Sequence, residues 1–512
     1  MTTDTRPGPV SPVIIGLDVG TTATKAVVFG VGSPWRHTAI REYPLLTPRP
    51  GWKVHDPAHI RAAVLGALAD CAQAVQGAEV LAVSVTTAMH GLIGLDDSLE
   101  PLTDMITWAD ARSADEARGL RATDLAAEIH RTSGTPVHPM TPLTKLMWFT
   151  EHDPGLAARA RWWAGLKDYV LSILTGTIAT ELSSASATAM LDLSTRDWNP
   201  TAVALAGISA EQLPPVLATT AVLPLSPSAA AAVGLPSGLP VVVGAGDGPL
   251  GNVGTGAMDP GVVGLSLGTS GAVRMVVPKP MVDPRGRLFC YALTDDQWVV
   301  GGAVSNGGAV VRWAGEVFGG GLRGPGQRHA DTELLALAEQ VPPGSDGLLM
   351  LPYLLAERAP LWNPELTGAY LGIRHGHTRG HFVRAAVEGV ALQLSTIVDA
   401  LDQIEPVRSV RATGGVFRSL LWRRVLAGAL GLPVTVTGGA EGSALGVAAL
   451  GLVALGRTAD LTSGVAALQP QETGPVAVPE VAGAAEVALY RGMRASIPAL
   501  LTAYHEVAEL FS

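Results

Sequence analysis

The stretch Ile14-Ile15-Gly16-Leu17-Asp18-Val19-Gly20-Thr21-Thr22-Ala23-Thr24-Lys25-Ala26-Val27-Val28 reads as an apolar strand, a tight turn of glycine and hydroxyl residues, and a second apolar strand. It returns in altered form at Val262-Val263-Gly264-Leu265-Ser266-Leu267-Gly268-Thr269-Ser270-Gly271-Ala272-Val273-Arg274-Met275-Val276. Gly16 and Gly264, Gly20 and Gly268, and Thr21 and Thr269 correspond. A Gly-Thr-Thr or Gly-Thr-Ser turn presents successive backbone N–H groups with hydroxyls beside them, an arrangement suited to phosphate. Two such hairpins about half a chain apart imply two related lobes closing on one nucleotide triphosphate. The copies differ where it matters: Asp18 stands where the second has Ser266, so one lobe can hold a metal and the other supplies neutral donors.

Working outward, the 512 residues suffice for two to four ordinary domains. With 47% hydrophobic and 16% charged residues, large cores are expected and disorder is not. A net charge of −10 argues against a nucleic-acid surface. Cys71 and Cys290 have no metal-ligand spacing and suggest no disulfide framework. Met1 to Pro12 lacks the basic and apolar regions of a secretory signal, and no uninterrupted apolar run is long enough for a bilayer, so a cytoplasmic location is expected.

Strands alternate with helices, which implies an α/β architecture with ligands at strand ends. Predicted are a hairpin over 13–30, a helix over 57–77, strands over 80–85 and 92–95, helices over 142–151 and 154–162, a strand over 240–244, a hairpin over 262–277, helices over 379–404 and 420–430, strands at 410–412 and 434–437, and a helical tail over 486–511. The chain is divided into a disordered tail over 1–12, a first lobe over 13–247, a second over 248–456, and a helical segment over 457–512 packing on the second lobe.

Several groupings carry chemistry. Asp18, at the end of the first strand, can hold Mg²⁺, an ion that keeps several waters and takes few protein ligands. Thr21, Thr22 and Lys25 are placed to meet phosphate oxygens, as are Gly268 and Thr269 in the second hairpin. Asp247, in Val243-Gly244-Ala245-Gly246-Asp247-Gly248, follows a buried strand, and its flanking glycines let a hydroxyl approach. Phosphoryl transfer asks for positioning, a metal and a base, and Asp247 is the candidate base; an Asx-turn residue closing a loop is the plainer account. Met89, His90, Trp108, Asp110 and Arg112 lie at first-lobe strand ends and suit a polyol. His138 and Lys145, in a loop running into a helix, gain weight if the substrate is acidic; a helix with a packed Trp148 explains them otherwise. The turn Thr413-Gly414-Gly415-Val416-Phe417-Arg418-Ser419 can lie against a base or ribose and equally fits a simple strand-to-helix turn.

With those residues in place, the chain from about 13 to 456 resembles the FGGY family of carbohydrate kinases. Met140-x-Pro142-x-x-Lys145-Leu146-x-Trp148-Phe149 looks like the family's first signature, and Gly368-Ala369-Tyr370-Leu371-Gly372-Ile373, with His381-Phe382 and Ala385-Ala386-Val387-Glu388, like its second. The resemblance implies two actin-like, ribonuclease-H-like lobes with ATP in a cleft, and Mg²⁺ with it. It implies transfer of the γ-phosphate to a sugar hydroxyl with Asp247 as base, and a substrate held mainly against the first lobe, including Met89 and His90. It implies nucleotide contacts at Thr21, Thr22, Lys25, Thr269, Gly308, Arg312, Gly415 and Ser419; on residues alone, Gly308 and Arg312 read as an ordinary helix start. The stretch Ser133-Gly134-Thr135-Pro136-Val137-His138-Pro139-Met140 is most similar to the gluconate-phosphorylating branch, although Thr135 and Thr141 stand where Cys and Tyr are common. Gluconate carries a carboxylate that His138, Lys145 or Arg112 could face. Met89-His90-Gly91 is shared with xylulose kinases, the nearest alternative. The expected partner is a small-molecule sugar or sugar acid, with no nucleic acid and no membrane; a homodimer stays open. A reading from another class is an actin-like ATPase without a sugar.

Overall fold

The computed structural model describes residues 12–318, 327–438, 442–469 and 479–508. The expected tail over 1–12 falls outside them except for Pro12, as do 509–511 of the helical tail.

Apolar runs broken by glycine turns produce two six-stranded sheets. The first contains β1 (Val13–Val19), β2 (Ala23–Gly30), β3 (Arg36–Glu42), β4 (Val80–Thr87), β5 (Val222–Pro224) and β6 (Pro240–Val242), in the order β5-β6-β4-β1-β2-β3. β1 pairs antiparallel with β2 and parallel with β4, which pairs parallel with β6. The second contains β7 (Val262–Leu267), β8 (Gly271–Val277), β9 (Phe289–Ala292), β10 (Trp298–Val304), β11 (Ser409–Thr413) and β12 (Val434–Val436), in the order β9-β10-β8-β7-β11-β12. Its β7 repeats the pairing of β1, antiparallel to β8 and parallel to β11.

Parallel strands are covered on both faces and therefore read as continuous apolar runs. Val13, Ile15, Leu17 and Val19 of β1 pack against α1 (Pro57–Ala74), opened by Asp56, whose side chain accepts from Ala58 N. Ile14 packs on the opposite face with Ala444, Leu445 and Ala448. Other helices that place the site are α2 (Leu125–Ser133), α3 (Pro142–His152), α4 (Leu166–Thr175), α5 (Leu182–Ser186), α6 (Asp247–Gly254), α7 (Gly308–Phe318), α8 (Arg379–Asp402), α9 (Leu420–Leu430), α10 (Gly442–Ala454), α11 (Leu461–Leu468) and α12 (Ala484–Ala508).

By contacts the chain forms two compact units, one of 1–258, 276–300 and 441–474, the other of 259–275, 301–440 and 475–512. Neither is contiguous. α10, assigned to the second lobe by sequence order, belongs to the first unit: Gly16 has no Cβ, and one built there would meet Ala444 O, so only glycine lets this helix lie directly on β1. α11 packs on α10, whereas α12 packs on α8 and α9, so the segment after 456 is shared between the units. In the second unit a buried network ties α12 to α8: Tyr490 Oη and Arg384 Nε donate to Glu388 Oε1 at 2.9 and 2.8 Å. Cys71 and Cys290 are buried free thiols.

Candidate active site

In the first unit three parallel strands deliver their C-terminal ends side by side. Asp18 of β1 is in register with Thr86 of β4, and Thr87 of β4 is bridged to Gly246 just after β6. With strands ~4.8 Å apart, Asp18 and Asp247 sit on ends two strand spacings, roughly 10 Å, from each other. Asp247 is the first residue of α6. Gly246, its cap, donates its N–H to Ser183 Oγ at 3.1 Å.

Asp18 accepts a hydrogen bond from Ser443 Oγ at 2.5 Å and faces Lys25 across the hairpin. Burial pushes its carboxyl pKa upward; the Ser443 hydrogen bond and the charges of Lys25 and Lys167 oppose this. A carboxylate that burial drives towards neutrality is one that a divalent cation restores to charge. One carboxylate completed by phosphates and waters matches what Mg²⁺ asks for. Among the described residues the only three potential metal ligands within reach of one another, Glu116, Glu151 and His152, do not include it.

Met89 and His90 line a narrow pocket with Gly91, Lys167 and Asp168. His90 has φ 65°, a conformation uncommon outside glycine, and its Nδ1 lies 2.9 Å from Ala187 O. Trp108 donates its Nε1–H to Thr21 Oγ1 at 2.9 Å, joining a substrate candidate to the hairpin turn. Asp110 is buried and grips Arg112 through two oxygens, at 2.8 Å from Nε and 2.9 Å from Nη2. The Arg112 guanidinium lies 3.7 Å over the Trp52 ring and 5.3 Å from that of Trp148.

Two expected substrate residues stand differently. Lys145 is fully buried and donates its ammonium to His90 O at 2.6 Å and Thr107 O at 2.9 Å, so it staples loops rather than facing an acidic ligand. His138 is also buried, and its Nδ1 accepts from Met140 N at 3.1 Å, holding its own turn. The apolar helix face carrying Lys145 turns it inward, and carbonyls take the place of water. Glycine-like conformation at His90 explains why that carbonyl needs holding.

The second unit carries a cavity of about 810 Å³ bordered by Gly268, Thr269, Gly308, Arg312, Gly415, Val416 and Ser419. That volume falls in the range of small-molecule and cofactor sites. It gathers six of the expected nucleotide residues in one place. Gly308 donates to Gly268 O at 2.7 Å, so helix α7 starts directly on the second hairpin turn. Gly414 has φ 131°, and a Cβ there would meet Leu267 O at 2.0 Å; it brings the Gly415 turn against the hairpin. Thr21, Thr22 and Lys25 belong to the first unit.

Sequence reading missed Lys167, Glu181, Ser443, Trp52 and Tyr291. Tyr291 of β9 places its ring 5.7 Å from that of His90. Lys167 is fully buried under the strand ends. Only Lys167 had a local signal, a lone cation in the apolar helix Leu166-Lys167-Asp168-Tyr169-Val170-Leu171.

Comparison with known proteins divides the chain in sequence order instead. Residues 13–254 match the FGGY family of carbohydrate kinases, N-terminal domain, and 263–455 match its C-terminal domain. The chain belongs to the FGGY family of carbohydrate kinases, and it is an ATP-dependent sugar phosphotransferase. It is 38% identical over 450 residues to the gluconokinase of Bacillus subtilis, covering 87% of this chain and 88% of the relative. It is 30% identical over 446 residues to the xylulose kinase of Escherichia coli, covering 86% and 90%. Among solved structures, a gluconate kinase from Lactobacillus acidophilus superposes with a TM-score of 0.91 at 30% identity, covering 98% of this chain and all of that one. These likenesses carry the two-lobed, actin-like kinase fold. Among the described residues no helix is long and apolar enough to cross a membrane.

Proposed function

We propose that this kinase transfers the γ-phosphoryl group of ATP to D-gluconate, giving 6-phosphogluconate and ADP, with Asp247 as general base. The observation that carries the substrate is the higher identity to gluconokinase than to xylulose kinase, 38% against 30% over similar lengths. Two features of the site support it: a carboxylate at the start of a helix beside the strand ends, and an Arg112 guanidinium fixed by Asp110 and Trp52.

In this reading ATP occupies the cavity bordered by Gly268, Thr269, Gly308, Arg312, Gly415 and Ser419, while Thr21, Thr22 and Lys25 meet phosphate oxygens. Asp18, beside Ser443, holds Mg²⁺, which when bound neutralises phosphate charge. Met89, His90 and Trp108 contact the polyol, and Arg112 faces the substrate carboxylate. Asp247 takes the proton of the attacking hydroxyl as its oxygen bonds to the γ-phosphorus. The bond from that phosphorus to the β–γ bridging oxygen breaks, and ADP leaves with the electron pair. The reaction is placed in the cytoplasm, where ATP is supplied.

A coupled ADP-release assay with gluconate, xylulose, ribulose and glycerol in parallel tests the substrate. Gluconate is expected to give the highest kcat/KM; xylulose in that place would leave the phosphotransferase standing and replace the acceptor. Asp247→Ala is expected to lower kcat by ~10²–10⁴-fold while ATP still binds. A variant turning over at the wild-type rate would remove Asp247 from the mechanism.

A further inference from the structure

The turn that carries Asp247 has backbone carbonyls at a strand end, and strand-end carbonyls buried from water need donors. Lys167 of α4 supplies them. Its Nζ donates to Val85 O at 2.6 Å, Val243 O at 2.7 Å and Ala245 O at 3.1 Å. Val85 lies in β4 beside Thr86, the residue in register with Asp18. Val243 and Ala245 lie between β6 and α6, four and two residues before Asp247. An ammonium has three N–H donors, and here three carbonyls accept, so none is left for a substrate.

The counter-ion is equally committed. Glu181 Oε1 lies 3.7 Å from Lys167 Nζ, and both groups are buried. Glu181 also accepts from the backbone N–H of Ser183 and Ser184 and from the Ser184 hydroxyl. Ser183 Oγ in turn accepts the N–H of Gly246. The network that begins at Lys167 therefore closes on the Ala245–Gly246 peptide from two sides, at Ala245 O and at Gly246 N. Burial lowers the Lys167 pKa to about 8, with Glu181, Asp168 and Asp247 opposing the fall, so the group is mainly an ammonium at neutral pH. Its charge acts on Asp18 as well.

We propose that Lys167 is a positioning residue for phosphoryl transfer: with Glu181 as its counter-ion, its ammonium clamps the end of β4 to the β6–α6 turn and so fixes the Asp247 carboxylate relative to Asp18, with no N–H left to donate to either substrate. As an ion pair alone Lys167–Glu181 would gain little over a hydrophobic replacement, but an apolar side chain would leave the carbonyls of Val85, Val243 and Ala245 without a donor. A buried cation beneath two functional carboxylates instead sets geometry and field where the reaction needs both.

The proposal rests on Asp247 as base, and the experiment separates the two. Lys167→Met, Lys167→Met with Glu181→Gln, and Asp247→Asn are each measured for kcat, KM for ATP, KM for gluconate and Tm. Lys167→Met is expected to lower kcat by ~10–100-fold, the penalty of a misplacement near 1 Å, with KM for ATP within about 2-fold because the ATP cavity borders other residues. The double variant removes both buried charges but still leaves three carbonyls without their donor, so it is expected to recover part of the Tm lost in Lys167→Met without recovering kcat. Recovery of kcat together with Tm, or wild-type kcat in Lys167→Met, would overturn the proposal. So would a double variant that does not fold, since the pair would then belong to the core alone. Wild-type kcat in Asp247→Asn removes the base assignment and leaves the Lys167 result to be read on its own.

Discussion

The two hairpins share a sequence pattern and a place in their sheets, yet they have been put to different uses. In the first, Asp18 stands opposite Lys25, and a hydroxyl from α10 closes on the carboxylate. In the second, Ser266 stands opposite Ala272, and the turn is one residue tighter: Gly268 N–H reaches Ser270 O, whereas Gly20 N–H reaches Ala23 O. The surroundings diverge accordingly. The second turn gives its carbonyls to the N–H groups of Gly307, Gly308 and Ala309, and glycines from two other segments crowd it until a nucleotide-sized cavity remains. The first turn keeps side-chain charge near the strand ends. One pattern thus serves charge in one unit and volume in the other, and the single exchange of Asp for Ser marks which.

The volume side should break hardest. Gly414→Ala places a methyl 2.0 Å from Leu267 O at a φ of 131°, and no side-chain rotation relieves it. Backbone strain and the clash together are expected to cost at least ~3 kcal/mol. Calorimetry should show a lower Tm, and KM for ATP should rise with gluconate binding kept. An unchanged Tm would mean that the Gly415 turn is not held by this approach.

The charge side is next. Asp18→Asn is expected to weaken Mg²⁺ dependence by ~10–100-fold, read as the Mg²⁺ concentration giving half-maximal rate. Ser266→Ala, the matching change in the other copy, should stay within about 2-fold of wild type, as substitutions away from special features do. Equal losses from both would erase the distinction between the hairpins.

What the sequence disclosed followed the range of the interactions involved. The hairpins, Asp247 behind its strand, and the glycine turns were legible because local pattern dictates them. α10 was not, because Ala444, Leu445, Val447, Ala448, Leu450 and Leu452 are all buried and an evenly apolar helix has no amphipathic period to read. The start of α6 at Asp247 was hidden by its glycines. Charge was legible but depth was not. Local pattern leaves Lys145 able to face an acidic ligand, whereas the loops carrying His90 and Thr107 enclose it. Tyr291 and Ser443 reach the site from 201 and 425 residues beyond His90 and Asp18, respectively, separations that no local pattern encodes.

If the first unit relies on buried charge, its stability must follow pH, and Lys145 gives the smallest and cleanest test. Unlike Lys167, its ammonium is met by carbonyls alone, and burial lowers its pKa from 10.5 to about 7, with Asp110 opposing and Arg112 assisting. Because the folded value is the lower one, the unfolded chain holds more protons between about pH 7 and 10.5, and stability rises with pH across that window. Below pH 7 both states are protonated, and the cost of burial is constant. Lys145→Met removes the titration. The unfolding free energy of wild type minus that of the variant should therefore grow by about 1 kcal/mol between pH 7 and 8, measured by denaturant titration at the two pH values. A flat difference would mean that Lys145 keeps its ordinary proton affinity in the fold, and that two carbonyls replace water there at no electrostatic cost.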